Sequence, residues 1–449
     1  DIKPQEYFVL EHFDLVSKSP RFLSFFSTFW ESLASCCILL LIMRRERPCL
    51  RARHGFLALG LIFLVQSIAQ GSKLFIGFSI SPLAVLVPPT LLLSQGFGST
   101  TSLAWLGVTS FIWQVPIEGI GEGKLIIAWI VSALMALQAG RIRSRAQLLQ
   151  MTFLIPFAGL LGEWFFLRKR NLPNSSDELI YEAIILGAML MLTILLIPIL
   201  ESTFGLITRA RLMELADNER PLLRRLSLEA PGTFEHTLRI CGLAEEGART
   251  IGADVDLIKT GALYHDIGKL HAPEWFIENQ TTGENPHEKL NDPYASASVL
   301  QAHVDEGLRL ARKHRLPGPI ADFIPEHQGT LKMGYFLHKA RTINPSAQEV
   351  DFRYKGPIPR SRETAILMLA DGCEAALRAL DPKETDQEAC LTVRGIVEAR
   401  QIDGQLKESS LTRAEVELVI RAFVRVWRRM RHNRIAYPIP SHKKPFKEK

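Results

Sequence analysis

The sequence predicts an all-α protein in two unlike halves: a polytopic domain of seven membrane helices, then an all-helical soluble domain. Three observations carry this. Seven apolar stretches precede residue 203, at 22–43, 55–72, 74–95, 100–116, 125–139, 148–167 and 179–200. Charge is segregated: residues 1–200 hold 16 Lys/Arg and 12 Asp/Glu, and residues 201–449 hold the other 37 and 35. Beyond residue 203 the pattern is helical by period and by caps, with no convincing strand alternation. The 449 residues suffice for two or three domains. This segregation excludes a wholly soluble protein and a disordered one. A net charge of +6, from 53 cationic and 47 anionic side chains, is too nearly balanced to argue for a nucleic-acid polymer as partner.

A membrane helix needs about 20 apolar residues, with a range near 17–25. Five stretches meet that comfortably, while 100–116 and 125–139 need their flanks. Trp30, Trp105, Trp113, Trp129 and Trp164 fall within or near the ends of these runs, where amphipathic rings often sit. Arg44, Arg45, Arg47, Arg51 and Arg53 crowd the segment after the first stretch, and Arg141, Arg143 and Arg145 the segment after the fifth. The positive-inside rule puts both on the cytoplasmic side, and seven spans carry everything after residue 203 to that side. Arg168, Lys169 and Arg170 point the other way and are outvoted. The expected location is the inner (cytoplasmic) membrane, multi-pass. Glu31, Glu163 and Glu182 lie within or near spans. Carboxylates there are costly, and Glu31, mid-span, is weighed for a functional or ligand-linked role.

After Leu200 the chain stays helix-compatible until Pro221, which is expected to break it, giving a stiff connector. Helices follow at 234–250 and 255–266. Asp292-Pro293 opens one through His314, another covers 317–328, Ser361 caps one reaching Leu380, and Thr412 with Glu415 forms a capping box for one ending near Arg431. The six cysteines are scattered without a CxxC pair and read as small buried hydrophobes in a reducing compartment. The chain begins at Asp1 rather than Met, which reads as a fragment or processed product, and its basic tail SHKKPFKEK reads as disordered.

Eight of the twelve histidines lie between residues 236 and 338. His265-Asp266, in GALYHDIGKL, stands out. Adjacent residues diverge by about 100° on a helix. They can still meet one metal if the helix ends there, and Ile267-Gly268 offers that ending. A carboxylate has two oxygens and can bridge two cations. Imidazole with carboxylate suits Mn, Fe or Zn, and the lack of nearby cysteine disfavours a structural zinc. His236, His303, His327 and Asp371 each sit in an otherwise apolar helical stretch. Taken singly, each reads more readily as a satisfied core residue; as an ordered set they point to a metal centre.

The segments around these residues carry a family resemblance. They are APGTFEHTL (230–238), GALYHDIGKL (261–270), FIENQ with GENPHEKL (276–290), HVDEG (303–307), EHQGT (326–330), DFRYKGPIPRSRETAILMLADGCEAA (351–376) and DGQL (403–406). With them, residues 1–440 resemble the seven-transmembrane HD-domain phosphohydrolases, the PgpH type of cyclic di-AMP phosphodiesterase. The resemblance implies an HD-superfamily helical domain holding two divalent metal ions, Mn or Fe. Its ligands would fall on His236, His265, Asp266, His303, His327 and Asp371, with Asp266 as bridge. A bridging hydroxide would attack the phosphodiester, Lys269 would neutralise charge on the phosphoryl group, and cyclic di-AMP would open to linear pApA. One position departs: His327 is followed by Gln328 where family members often carry a second histidine. Either Gln328 ligates weakly through its oxygen or water fills the position.

Adenines and phosphates would need apolar surfaces and cations, for which Arg353, Tyr354 and Tyr335 are candidates, with Trp275, Phe276 and Phe336. The implied layout is 1–21 as an extracellular remnant, 22–202 as the membrane domain, 203–228 as connector, 229–440 as the cytoplasmic HD domain and 441–449 as a basic tail. The lipid bilayer and the dinucleotide are the expected partners, and a homodimer is compatible. GTLKMGYF does not match the HD-GYP signature of cyclic di-GMP enzymes, and no Walker loop is present. Two other classes stay open: a receptor whose HD domain binds a cyclic dinucleotide with weak or no turnover, and a transporter-like protein with a regulatory soluble domain.

Overall fold

Leu-, Ile- and Ala-rich runs bounded by turn residues give helices throughout. The computed structural model describes residues 22–46, 52–72, 80–112, 120–140, 142, 144–169, 176–280, 283, 285–381 and 384–430. Among these no strand forms, and one isolated antiparallel bridge joins Lys332 to Arg353. The chain divides into two units, Asp1–Met213 and Glu214–Lys449. Segments 1–21 and 441–449, with Arg47, Cys49, Arg51, Trp113, Arg141, Arg143 and Arg170, lie outside the described residues.

In the first unit, α1 (Phe22–Glu46), α2 (Ala52–Gly71), α3 (Pro82–Phe97), α4 (Ser99–Phe111), α5 (Ile120–Ala139), α6 (Arg145–Lys169) and α7 (Ser176–Phe204) fall on the seven apolar stretches. Three helices are long and apolar enough to cross a membrane among the described residues: α2, α6 and the Leu179–Phe204 part of α7. The third stretch differs most from expectation. Its helix starts only at Pro82, and residues 73–79 lie outside the description. At about 1.5 Å per residue, 16 residues reach roughly 24 Å.

This short helix is the unit's axis. Leu83 through Phe97 are all buried, and α2, α4, α5, α6 and α7 pack around it. A helix sealed on every side must satisfy its ends internally. Ser81 caps α3 by accepting from the Leu83 amide at 3.3 Å. At the other end Ser94 donates to the Ala136 carbonyl at 2.5 Å and Gln95 to that of Ala139, closing the loose end of α5.

Phe56, Phe63, Phe153, Leu154, Phe157 and Leu195 point outward, an apolar surface suited to lipid. Trp30 and Trp129 share that surface. Trp105 does not: it is fully buried, and its Nε1 donates to the Ala58 carbonyl at 2.9 Å, so it is a core anchor. Arg168 stacks 5.2 Å over the Trp164 ring, which gives this dissenting cation a local partner. Glu31 is exposed on α1 rather than sealed against a neighbouring helix.

The connector is jointed, not one rod. α7 ends at Phe204, Gly205 turns with φ +64°, and α8 (Arg209–Leu215) is brief. Pro221 does not break a helix but opens α9 (Pro221–Glu229). The first turn tolerates proline because its amide has no helical partner anyway.

The second unit continues with α10 (Pro231–Ile251), α11 (Val255–Tyr264), three 3-10 turns (Ile267–His271, Pro273–Trp275, Ile277–Asn279), α12 (Pro286–Leu290), α13 (Pro293–Lys313), α14 (Gly318–Ala321), α15 (Phe323–Glu326), α16 (Gly334–Ile343), α17 (Arg362–Ala379), α18 (Asp386–Ile402) and α19 (Arg413–Met430). The helix expected over 317–328 is split into α14 and α15, because Pro325 has no amide to donate back to Ala321. α10 is central, with α11, α17 and α19 against it. Val419, Ile420, Phe423 and Trp427 line the buried stripe of α19. Each such side chain, once buried, contributes about 1.5–3 kcal/mol. Gly247 admits this packing, since a Cβ there would meet Ile366 and Phe423 at 3.1 Å.

Candidate metal centre

Five helical segments deliver the six candidate ligands. α10 carries His236, the end of α11 His265 and Asp266, α13 His303, the end of α15 His327, and α17 Asp371. α11 stops at Tyr264, and the chain tightens at once into the Ile267–His271 3-10 turn. That change of pitch puts His265 and Asp266 on one space instead of 100° apart. Gly268 makes it possible. A Cβ there would sit 1.7 Å from the His303 carbonyl oxygen and 2.6 Å from the Gly307 amide nitrogen. Only glycine lets this turn lie on α13.

Three imidazoles are oriented the same way. Nδ1 of His265 donates to the Ala262 carbonyl at 2.6 Å, Nδ1 of His303 to Leu300 at 2.5 Å, and Nδ1 of His327 to Phe323 at 3.2 Å. A carbonyl only accepts, so each Nδ1 is the donor, and in the neutral ring Nε2 is then left with its lone pair. Those Nε2 atoms lie 3.2, 3.7 and 3.4 Å from Asp266 oxygens. All three, and Asp266 Oδ1, are buried without a hydrogen bond; the 3.2 and 3.4 Å contacts have the distance but not the direction of one. A buried polar atom left bare costs about 1–3 kcal/mol. Four of them converging is what a cation site requires.

The ligand atoms form two groups, His236/His265/Asp266 and Asp266/His303/His327, each with its atoms within 4.8 Å of one another. Asp266 belongs to both. Imidazole nitrogen with carboxylate oxygen suits divalent transition metals. Asp371 joins through His236, Nε2 to Oδ1 at 3.1 Å, while His236 Nδ1 meets Glu374 Oε2 at 2.9 Å. Burial opposes a charge on His236, but hydrogen bonds to Asp371 and Glu374 prevail and raise it to about 10. Burial pushes His303 down to about 3, keeping that ring neutral as a ligand must be. Burial also opposes the Asp266 carboxylate, yet His265 and Lys269 hold it well below the usual carboxylate range.

Lys269 Nζ stands 2.9 Å from Asp266 Oδ2 and 2.6 Å from Glu278 Oε1, with the Phe276 ring centroid 5.0 Å away. Glu278 also accepts from the Thr233 hydroxyl at 3.0 Å, and Asn279 Oδ1 accepts the Thr233 amide at 3.0 Å. A Cβ on Gly232 would fall 1.8 Å from the Glu278 carbonyl oxygen. Thus the Ile277–Asn279 turn ties the start of α10 to Lys269. Sequence reasoning missed Glu278 and Glu374. Glu374 was findable, three residues after Asp371 on the same helical face. Glu278 had no such signal, because no regular period spans the intervening turns.

The remaining candidates are placed differently. Gln328 is half-buried, and among the described residues its side chain makes no hydrogen bond. The Arg353 guanidinium is held by Glu349 at 2.7 Å, Asp403 at 2.8 Å and the Thr330 carbonyl at 2.7 Å, a clamp between loops. Tyr354 borders the centre, its ring 5.9 Å from that of His303, as does Phe276 at 5.9 Å. Tyr335 is exposed and rests against Phe336 at 5.2 Å, while Trp275 and Phe336 each lie 5.1 Å from His287.

Comparison with known proteins adds to this geometry. A family model described as "7TM receptor with intracellular HD hydrolase" matches residues 22–208, and one for the HD domain matches 233–376, so all six candidate ligands fall in the second match. The chain belongs to the seven-transmembrane HD-domain family. An uncharacterized Synechocystis sp. protein is 40% identical over 370 residues, covering 78% of this chain and 44% of the relative. The cyclic-di-AMP phosphodiesterases PgpH of Listeria monocytogenes and Bacillus subtilis are 38% and 31% identical, over 54% and 81% of this chain and 33% and 52% of theirs. The chain thus spans from a third to about half the length of these relatives. A crystal structure of the L. monocytogenes PgpH HD domain in complex with cyclic-di-AMP is 35% identical over 48% of this chain and 99% of that one, with TM-score 0.46. The first unit of this 7TM-HD protein is accordingly a membrane domain and the second an HD hydrolase domain, a class that binds divalent metals.

Proposed function

We propose that this 7TM-HD protein is a membrane-anchored, dimetal phosphodiesterase that opens cyclic di-AMP to linear pApA. The observation that carries the reading is the convergence of three bare Nε2 atoms and one bare carboxylate oxygen around Asp266. Its sharing by two ligand groups supports two cations, Mn or Fe, held by His236, His265, Asp266, His303, His327 and Asp371. When bound, such ions supply Lewis acidity toward a phosphoryl oxygen and lower the pKa of a water. The chain's own groups do the rest. Asp266 stays ionised beside His265 and Lys269, the Nδ1 contacts hold the imidazoles in one tautomer, and Lys269 sets a cation beside the carboxylate where phosphoryl charge would develop. The names of the two PgpH relatives support the substrate. Gln328 favours one second reading, a cyclic-dinucleotide receptor with weak turnover, because it replaces a strong ligand type at one metal.

We place the domains at 22–202 and 229–440, with the HD domain on the cytoplasmic side of the inner membrane. Basic residues support this orientation. His54 contacts the Phe204 carbonyl at 2.8 Å and Arg53 donates to that of Thr203 at 3.4 Å. Arg53 and His54 at the start of α2 therefore lie at the end of α7 from which the chain leaves for the HD domain. The test is hydrolysis of cyclic di-AMP by the detergent-purified chain with added Mn, beside His265→Ala and Asp266→Ala. Linear product from the parent alone supports the enzyme; tight binding without product leaves the receptor.

A further inference from the structure

Opening a phosphodiester to a 5′-phosphate expels a ribose alkoxide, and an alkoxide needs a proton. Most described donors around the ligand cluster are already committed. Nδ1 of His265, His303 and His327 donates to backbone carbonyls. Both nitrogens of His236 are engaged by Asp371 and Glu374. The Lys269 ammonium is held by Asp266 and Glu278. Gln328 has a spare amide, which can donate a hydrogen bond but does not release its proton at neutral pH. Tyr354 is different. Its ring stands T-shaped to that of His303 at 5.9 Å, and the charges of Lys269, Asp266 and Asp371 act on its hydroxyl. Among the described residues that hydroxyl makes no hydrogen bond, on a residue that is only half-buried.

Several contacts fix this phenol. Its ring packs against the small core of Ala297, Met333, Phe336 and Phe352. Its amide donates to the Leu331 carbonyl at 3.0 Å. The Arg353 carbonyl accepts from Gln301 Nε2 at 2.9 Å, two residues before His303 on α13. The Arg353 guanidinium is clamped by Asp403, and the fully buried Gln405 donates to Asp403 at 2.8 Å and to the Thr330 hydroxyl at 2.8 Å. The DGQL segment thus ties the residue before Tyr354 to Thr330, three residues after His327. A donor held this firmly needs little rearrangement at the moment of reaction. On the phosphodiesterase reading above, we propose that Tyr354 is a catalytic residue that protonates the leaving ribose 3′-oxygen, with Arg353 as its positioning residue. A hydroxide oxygen bonds to phosphorus, and the bond from phosphorus to the 3′-oxygen breaks with its electron pair going to that oxygen. The phenol proton passes to the same oxygen, and water returns a proton to the phenolate.

The test compares two phosphodiesters on the full chain in detergent with added Mn. Cyclic di-AMP expels an alkoxide that needs a proton; bis(p-nitrophenyl) phosphate expels a stable phenolate that does not. Tyr354→Phe, which keeps the ring, should lower kcat on cyclic di-AMP about 100-fold, leave the aryl ester within about twofold and keep the parent's metal content. Arg353→Lys, which keeps the charge and loses the fork, should give a smaller loss with the same dependence on leaving group. An equal loss on both esters would overturn the proposal, as would an undiminished rate on cyclic di-AMP. A parent that cleaves the aryl ester but not cyclic di-AMP would sink the substrate assignment alone. A linear dinucleotide, which also expels a ribose alkoxide, then takes its place, and the same two outcomes decide the role of Tyr354.

Discussion

Lys269 Nζ lies 2.6 Å from Glu278 Oε1 and 2.9 Å from Asp266 Oδ2, so one ammonium joins the centre of the ligand cluster to a turn nine residues on. Glu278 is anchored in its turn by Thr233. It therefore acts by positioning Lys269. Glu278→Gln should keep the fold and the metal content while lowering kcat by about 10-fold or more, with KM little changed. Metal analysis beside steady-state kinetics checks this; loss of metal would assign Glu278 a structural role instead.

Asp266 belongs to both ligand groups, whereas His303 belongs to one. Asp266→Asn should strip both ions and drop turnover to background, while His303→Ala should retain one. Elemental analysis of the purified variants reads the stoichiometry. Equal metal loss in the two would contradict the shared-ligand geometry.

Gln328→His should raise the affinity for the more weakly held ion by about tenfold, or roughly 1.4 kcal/mol. The side chain has no hydrogen bond to give up in exchange. Activity measured against limiting Mn should then saturate at lower metal. An unchanged titration would mean the residue points away from the ions.

His236 carries a proton held to about pH 10 by Asp371 and Glu374, against the opposing effect of burial. A metal on Nε2 must displace that proton. Affinity at this position should therefore rise about tenfold per pH unit between roughly 7 and 9. The stability side has the opposite sign. A folded-state value above the ordinary one of 6.5 stabilises the metal-free protein fully below about pH 6.5, and this contribution fades as pH rises through about 10. Calorimetric titration in buffers of different ionisation enthalpy would show the released proton. Glu374→Gln, which removes one of its holders, should make the release smaller.

Gly268→Ala should destabilise the HD unit by about 3 kcal/mol, because the clash is with backbone, the His303 carbonyl, which has no rotamer to yield. Gly395→Ala is the control, with nothing within 4 Å of the added carbon. A lower unfolding midpoint for the first only is expected.

Much of this was legible in the residues. Apolar stretches located the helices α1 to α7 among the described residues, since each carries a run of its own. Side-chain caps located Asp292, Ser361 and Thr412, because a cap is a contact over two or three residues. The six candidate ligands drew notice because His and Asp in apolar helical runs need partners, and the family resemblance gave them as a set. Where contacts are long-range, sequence was silent. The burial of Trp105 depends on Ala58, 47 residues away, and Arg353 is neutralised by Asp403, 50 residues on. Pro221 was read as a break because the local rule cannot tell a helix's end from its beginning. What the sequence determined alone was periodic or local: helix, span, cap, ligand type. Tertiary structure decided which imidazole nitrogen faces Asp266, which carboxylates hold Lys269 and His236, and that Glu182 meets Lys124. Those are distances between elements, and only packing sets them.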